Sequence, residues 1–194
     1  MEVLDAINAR HSVRSFEERA VPEDVLKELV EVAVKAPSAM NRQPWRFYVV
    51  SSKVVRDKVA ELLGKYLDSE RDSVDKLRPE LKNTLYDFYR NLGGCQNIVF
   101  VFRKNADCGP KDVVRLNDFA SISCAVENFM LAAVEKGLGT CWVGSFRDRK
   151  DEIAKLVGAE DEELVASVLV GYPSKDFVPM KRSKKELNDV LKFV

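Results

Sequence analysis

One segment restricts the possible folds more than any other: the stretch from Asp112 to Lys136, which predicts a single long helix. Its residues are small or apolar almost all the way around: Ala120, Ser121, Ile122, Ser123, Ala125, Val126, Phe129, Met130, Ala132 and Ala133. A helix without a continuous polar face belongs in the interior of a protein. Because the chain is short, we predict a central helix that packs both on its own sheet and on a partner subunit.

Length and charge limit the possible classes of function. With 194 residues the chain fits one domain, and a domain of this size buries about 70% of the surface of its unfolded chain. Lysine plus arginine and aspartate plus glutamate both total 31, so no overall field attracts nucleic acid or an anionic membrane. We expect neither as a partner, and any basic recognition has to be local.

The sequence also gives an expectation for location. Residues Met1–Asp5 are acidic and lack the charged-then-apolar order of a secretory signal. No window approaches the roughly 18 uncharged apolar residues of a membrane-spanning helix. We expect a soluble, cytoplasmic protein.

Cysteine and histidine usage argues against metal and nucleophile chemistry. The four cysteines contain no C-x-x-C pair, which zinc ribbons and thioredoxin-like motifs require, so we predict reduced and mostly buried thiols. A single histidine, His11, rules out a multi-histidine metal site, and no G-x-S-x-G elbow is present. We predict no metal and no side-chain nucleophile. Chemistry supplied by a cofactor is the natural alternative.

Hydrophobic periodicity predicts helices interspersed with short apolar strands. The predicted strands are Phe47–Val50, Ile98–Phe102, Thr140–Val143 and Leu164–Val170. Besides the central helix, the predicted helices cover Val3–Ile7, Pro22–Ala36, a segment capped by Ser51 or Ser52, the stripe Leu81–Leu92, Asp148–Val157 and a tail with Leu187, Val190 and Leu191 at helical spacing.

Residues 65–92 are the least informative part of the chain. The section is highly charged from Lys65 to Pro79, and a helical apolar stripe resumes at Leu81. A surface hairpin of helices and a substrate lid both fit this pattern.

Three stretches look suited to form one site. The turn from Ala36 to Phe47 contains two prolines and small polar residues, and such loops commonly present binding residues on a rigid scaffold. Basic residues cluster at Arg10–Arg14 and at Lys181–Arg182, and the planar guanidinium group suits phosphate. Either basic cluster alone fits a solvated surface better. Together they predict a site drawn from both ends of the chain.

The glycine-rich stretch Gly137–Gly144 does not fit a dinucleotide-binding motif. That motif places its glycines after a strand and at the start of a helix, and here the order is helix and then strand. Its first glycines more plausibly end the helix. Gly144 would let a flat ring approach the backbone closely.

Taken in order, these motifs resemble the FMN-dependent nitroreductase family. The similarity runs from the first helix to about Arg182. It implies an α+β sandwich in which a mostly antiparallel central sheet is flanked by helices, within an intertwined homodimer that holds two FMN molecules at its interface. The chain would form one FMN-binding domain over residues 1–194, with 65–92 as a variable helical insert or lid and 174–194 as a phosphate-contacting tail.

The resemblance also implies the roles of particular residues. The basic run holds the ribityl chain, the phosphate and the flavin edge; the turn of the second subunit covers the ring; the backbone after the glycine-rich stretch packs on its other side; and the C-terminal cations close on the phosphate. In that order, the implied cofactor-binding residues are Arg10, His11, Ser12 and Arg14; Pro37, Ser38, Ala39, Asn41 and Gln43; Trp142, Val143, Gly144 and Ser145; Lys181 and Arg182. Many relatives have an acidic residue at the position of Gly144, so contacts there are expected through the backbone.

The activity implied is hydride transfer from NADH or NADPH through FMN to a nitroaromatic, a quinone or a similar small acceptor, in a ping-pong cycle. No catalytic side chain is required, because protons can come from water. Two alternatives stay open. One is a relative with another flavin chemistry, such as dehalogenation or oxidative tailoring. The other is a non-catalytic flavin-binding dimer whose output is a partner interaction.

Overall fold

The computed structural model of the protein describes residues 1–70, 79–104, 110–180 and 183–194, with the backbone alone for residues 79–84. The helices are α1 Val3–Ala9, α2 Glu23–Ala33, α3 Lys53–Ser69, α4 Pro79–Asn91, α5 Lys111–Glu135, α6 Lys150–Val157 and α7 Leu187–Val190. The strands are β1 Trp45–Val50, β2 Asn97–Lys104, β3 Gly139–Trp142 and β4 Glu162–Gly171. Short 3-10 helices cover Ala39–Asn41, Leu92–Gly94 and Gly144–Arg149.

The four strands form one antiparallel sheet in the order β1-β2-β4-β3. Each strand predicted from the sequence is present, and so is the long central helix. The expected α+β architecture is therefore confirmed. Strand β3 lies at one edge of the sheet and β1 at the other.

Strand β2 explains why the sheet needs helices on both faces. Phe100 and Phe102 belong to the apolar cluster on one face, whereas Val99 and Val101 belong to the cluster on the other. All four are at most 1% exposed. Because each large buried side chain stabilises the fold by about 2 kcal/mol, neither face can be left to solvent.

Helices α3, α4 and α6 cover one face of the sheet, together with the 3-10 helix Gly144–Arg149. Val59, Leu63 and Phe88 are buried there, and α4 packs against α3. Part of the ambiguous section 65–92 therefore belongs to the packed core. The segment 71–78, which includes most of the charged part, lies outside the described residues.

Helices α2 and α5 cover the other face. Leu26 and Leu29 of α2 meet Ile122 and Phe129 of α5 in one buried cluster with the sheet. The central helix therefore packs on the chain's own sheet, as predicted. Elsewhere on α5, Leu116 is 66% exposed.

Some local predictions were wrong. Ser52 occupies the N-cap position of α3, but its side chain makes no capping bond. The hydroxyl of Ser51 instead accepts a hydrogen bond of 2.7 Å from Asn97 Nδ2. The helix expected from Asp148 begins at Lys150, after the 3-10 helix. Cys95 and Cys141 are buried as expected, whereas Cys124 is exposed, and Cys108 lies outside the described residues.

Cys95 supplies a test of the packing between the sheet and α4. Its Sγ donates to the carbonyl oxygens of Asn97 and Val170, each at 3.2 Å. Burial raises the pKa of this thiol from 9.0 to about 11. The unfolded chain therefore releases the proton first, and the stabilising contribution is present below pH 9 and lost as the pH rises toward 11.

We expect the wild-type protein to lose about 2 kcal/mol more unfolding free energy between pH 8 and pH 11 than Cys95→Ala does. Urea titrations of both proteins at several pH values measure this difference. Comparing the two slopes cancels the titration of every other group. Parallel curves would contradict the burial of the thiol.

Candidate functional site

The basic run lies along the open edge of β3. Ser12 forms a parallel bridge with Thr140, and the backbone N–H of Val13 donates to the Thr140 carbonyl at 2.9 Å. Two of the stretches singled out in the sequence, the basic run and the glycine-rich stretch, are therefore adjacent in the fold.

The residues that follow the basic run are held by hydrogen bonds to two other segments. The N–H of Phe16 donates to Gly93 at 2.8 Å, and that of Glu17 donates to Tyr172 at 2.9 Å. Gly93 has φ +64 and no room for a side chain, because a Cβ there would collide with the carbonyl of Arg14. The run is thus held between β3 and the turn that follows α4.

A cavity of about 430 Å³ opens over this run. Its polar lining comes from Arg10, Ser12 and Arg14 of the run and from Lys184 of the C-terminal tail, and its apolar lining includes Ile7 and Met180. Residues near both ends of the chain therefore line one cavity. Lys181 and Arg182 lie outside the described residues.

Lys184 was not among the predicted site residues. The sequence signal was present, because the tail is basic as far as Lys185. What it lacked was a reason to prefer one lysine over its neighbours. Asn8, near the end of α1, also lines the cavity and was not among the predicted site residues.

The contacts that Arg10 and Arg14 make with other described residues are few and long. Arg14 Nη1 donates to the Ser12 carbonyl at 3.3 Å, and Arg10 Nε lies 3.8 Å from Glu127 Oε1 on α5. A guanidinium group carries five N–H donors, so these contacts leave donors for an anion. His11 also lines the cavity, and its ring Nδ1 lies 2.7 Å from the Ala9 carbonyl oxygen.

The residues after β3 divide between packing and open surface. The Val143 N–H donates to the Ser167 carbonyl at 2.8 Å, and the Ser145 hydroxyl donates to Tyr89 Oη on α4 at 3.0 Å. A Cβ at Gly144 would meet no atom within 4 Å. Trp142 is partly buried against the α2/α5 cluster. The open surface at Gly144 is the place where a flat ring could approach the backbone.

The Ser145 contact links the strip of residues 142–145 after β3 to helix α4, which packs against α3. The Tyr89 ring packs edge-on against that of Tyr66, with ring centroids 6.5 Å apart. Burial raises the pKa of Tyr66, and the negative charge of Asp148 adds to the effect. The Tyr66 phenol therefore stays neutral and serves as a packing group beside the strip.

The turn before β1 has an unusual backbone. Met40, Asn41 and Gln43 all have positive φ, at 54°, 52° and 48°, although none is glycine. The Gln43 N–H donates to Ser38 Oγ at 3.1 Å, and the Ala39 N–H donates to Ser121 Oγ on α5 at 3.2 Å. The exposed Asn41 and Gln43 side chains are joined by a bond of 3.2 Å. Pro37 precedes this network.

Within one chain, the turn and the basic run lie at opposite corners of the sheet. Trp45, next to the turn, pairs with Arg103 at the end of β2, whereas Thr140 is in register, through β4, with Asn97 at the start of β2. Six residues of strand span about 20 Å and three strand spacings about 14 Å, so the diagonal is about 25 Å. The predicted site residues therefore form two separate groups in a single chain.

A larger depression of about 700 Å³ lies between α2 and the edge of β1. Its lining includes Leu26, Val30, Phe47 and Val49, together with Glu23 and Lys27, which pair with each other at 2.9 Å. This lining offers no cluster of like charge. The smaller cationic cavity is therefore the better candidate for a phosphate-bearing ligand.

Comparisons with known proteins show what the whole chain is similar to. A family model described as "Nitroreductase family" matches residues 7–172. The chain is 28% identical to a putative NAD(P)H nitroreductase, YfhC, of Bacillus subtilis, over 95% of this chain and 90% of that one. It is 28% identical to the iodotyrosine deiodinase of Hydra vulgaris, over 96% and 70%. A BluB-like flavoprotein from Clostridium difficile has the same fold, with a TM-score of 0.79, 27% identity and coverage of 100% and 99%.

Gly139 tests how closely the basic run depends on β3. A Cβ at this position would lie 2.5 Å from Val13 Cγ2 and 2.8 Å from Val13 Cβ. We expect Gly139→Ala to destabilise the protein by about 2 kcal/mol through overpacking and to displace the run. Thermal unfolding measures the loss.

Gly64→Ala is the matched control, because Gly64 lies within α3 and a Cβ there would meet no atom within 4 Å. It should stabilise the helix by about 0.5–1 kcal/mol. Equal melting temperatures for the two variants would disprove the close contact.

Proposed function

Because the chain belongs to the nitroreductase family, we propose that it is an FMN-dependent oxidoreductase that transfers hydride from NADH or NADPH to a nitroaromatic, a quinone or a similar small acceptor. The observation that carries the proposal is the cationic cavity formed by Arg10, Ser12, Arg14 and Lys184 on the edge of β3. The adjacent strip at Gly144 is open enough to admit a flat ring.

The chemistry of the cavity fits FMN. Its volume of about 430 Å³ lies within the range of about 300–1,000 Å³ typical of small-molecule sites. Three cationic side chains and a hydroxyl group suit a phosphate and a polyhydroxylated chain. Ile7 and Met180 supply apolar contacts.

Each group of residues has a defined task in this proposal. The phosphate and ribityl chain are bound by Arg10, Ser12, Arg14 and Lys184. The family resemblance implies that Lys181 and Arg182 also contact the phosphate. Because the Val143 N–H is already bonded to Ser167, backbone contact with the ring falls to Gly144 and Ser145. When bound, FMN supplies the hydride-accepting and hydride-donating chemistry. The nearby positive charges lower the cost of placing negative charge on it.

Binding energy argues for a second subunit. Two phosphate contacts at about 2 kcal/mol each give only millimolar affinity. Burying roughly 200 Å² of ring adds about 5 kcal/mol before ordering costs. The cavity of one chain covers only the phosphate end, and the turn carrying Ser38, Asn41 and Gln43 is about 25 Å away in the same chain.

We therefore propose a homodimer in which each turn covers the ring held by the other subunit. Exposed apolar side chains support this assembly. Val3 and Leu4 of α1 are 69% and 70% exposed, and Met40 of the turn is 90% exposed. A second copy would bury such surface and complete the site.

The proposed chemistry also indicates a cellular location. NADH and NADPH are supplied in the cytoplasm, so we place the protein there. Among the residues that the structure describes, no helix has the length and apolar character needed to cross a bilayer.

Reductive dehalogenation is the second candidate function. The similarity to the Hydra iodotyrosine deiodinase, at 28% identity over 96% of this chain, favours it. Both reactions need the same flavin site, so the acceptor distinguishes them. Turnover of an iodinated phenol together with failure to oxidise the reduced protein with nitroaromatics or quinones would favour dehalogenation.

The first test is anaerobic bleaching of the purified protein. We expect a yellow protein that loses its absorbance near the flavin maximum when NADH or NADPH is added, and regains it when a nitroaromatic or quinone follows. A yellow protein that neither nicotinamide bleaches would indicate the non-catalytic binding dimer. A colourless protein that ignores added FMN would end the proposal.

The second test addresses the phosphate. We expect Arg14→Ala to raise the Kd for FMN about 30-fold, because a charge-assisted bond contributes about 2 kcal/mol. The affinity of the variant should also depend less steeply on salt. Fluorescence titration at two ionic strengths measures both effects.

Lys58→Ala is the control, because it removes an exposed positive charge on α3, away from the cavity. It should leave the affinity for FMN unchanged. Equal losses in the two variants would indicate a general effect of net charge rather than a phosphate site.

A further inference from the structure

We propose that Asp118 is a positioning residue, which holds the strained turn in the shape that completes the flavin site of the second subunit. This inference rests on the proposed function. It concerns a side chain that lies in the interior, on α5, and has no place in the site described above.

Asp118 joins three elements through one carboxylate. Its side chain is completely buried. Arg42 of the turn donates from Nη2 to Oδ1, and Arg103 of β2 donates from Nε to Oδ2 at 2.9 Å. The same Arg42 nitrogen lies 3.4 Å from the Val114 carbonyl of α5. The turn is therefore attached to both the central helix and the sheet.

The ion pairs continue outward from this centre. Arg103 Nη1 lies 3.6 Å from Glu163 Oε2 on β4. Glu163 in turn accepts from Arg115, from Nε at 2.9 and 3.0 Å and from Nη2 at 2.6 Å. Asp118 contacts the turn through Arg42. The ion pairs of Glu163 among the described residues join it to β2 through Arg103 and to α5 through Arg115.

A buried network of this kind is poorly explained by stability alone. Removing charges from water costs several kcal/mol per ion, and well-packed apolar residues of similar volume often stabilise a fold as much or more. Removing one charged residue of such a network is nevertheless strongly destabilising, because its partner is left buried without an opposite charge. A role in fixing one conformation accounts for its presence better than a gain in stability.

The turn has a strained conformation that neighbouring residues have to hold in place. Met40, Asn41 and Gln43 each have positive φ, a region that residues with a side chain adopt at a cost in backbone strain. Such a conformation persists only where the surrounding contacts hold it. The bonds to Ser38 and Ser121 and the Arg42–Asp118 pair provide the means.

The strained shape presents polar groups outward. The side chains of Asn41 and Gln43 are exposed and joined to each other, and Met40 is 90% exposed. A relaxed turn would not hold these groups in one arrangement. Asp118 thus acts through Arg42 on residues that we expect to face the ring of the second subunit.

The test compares Asp118→Asn with Glu163→Gln. Both changes neutralise one carboxylate of the same network, but within the part of the chain that the structure describes it is Asp118 that pairs with Arg42 of the turn, whereas Glu163 pairs with Arg103 of β2. We expect Asp118→Asn to raise the Kd for FMN about tenfold, equivalent to about 1.4 kcal/mol, while kcat at saturating FMN stays within a factor of about two. Glu163→Gln should keep the wild-type Kd.

Hydrogen exchange gives a readout that does not depend on activity. In Asp118→Asn, the amides of Ala39 and Gln43, which donate to Ser121 and Ser38, should exchange faster. In Glu163→Gln they should not. Unchanged exchange in Asp118→Asn, or faster exchange with an unchanged Kd, would overturn the inference.

A milder pair of variants covers the case in which Asp118→Asn does not fold. Ser121 and Ser123 both donate to the carbonyl four residues earlier on α5, at 2.7 and 2.8 Å, but only Ser121 also accepts from the turn. Ser121→Ala should reproduce the faster exchange and the weaker FMN binding, and Ser123→Ala should not. Identical behaviour of the two would contradict the inference.

Failure of the proposed function can be told apart from failure of this inference. If the wild-type protein binds FMN but does not oxidise NADH or NADPH, the catalytic proposal is wrong. The Kd values and exchange rates then still decide the role of Asp118. Equal Kd values in Asp118→Asn and Glu163→Gln would overturn it.

Discussion

The structure depends above all on the burial of β2 and β4 between two layers of helices. Both strands are apolar along nearly their whole length, so each face of the sheet has to be covered. The side chains of β2 alternate between the two clusters, with Phe100 on one face and Val101 on the other. Once the centre of the sheet is covered, only its two edges remain available for binding.

The two edges carry the two halves of the candidate site. The edge at β3 receives the N-terminal basic run by backbone pairing, and the tail brings Lys184 to the same cavity. The opposite edge begins at the strained turn before β1. Because these groups lie about 25 Å apart in one chain, the geometry favours a shared site between two copies over a site enclosed by one.

Charge is distributed in a way that suits this division. The chain has as many basic as acidic residues, yet the cavity at β3 concentrates Arg10, Arg14 and Lys184. At the other corner, Arg42 and Arg103 are paired with the buried Asp118. In the proposed function, the first group offers charge to a ligand, whereas the second holds the backbone of the turn. Similar arginines therefore have different tasks, which their partners decide.

The sequence by itself determined the strands and the longer helices, because periodicity and turn residues are local signals. It gave all four strands and the central helix, and it marked the end of that helix at Gly137, which has φ +70. It also grouped the basic run with the tail, because both concentrate positive charge in a neutral chain.

The tertiary structure alone decided the sheet order, which places β1 and β3 at opposite edges. It also decided the partners of Asp118, 15 and 76 residues away, the positive φ of a turn without glycine, and the pairing of Ser145 with Tyr89. These features depend on contacts between distant segments, and such contacts leave no periodic trace in the chain.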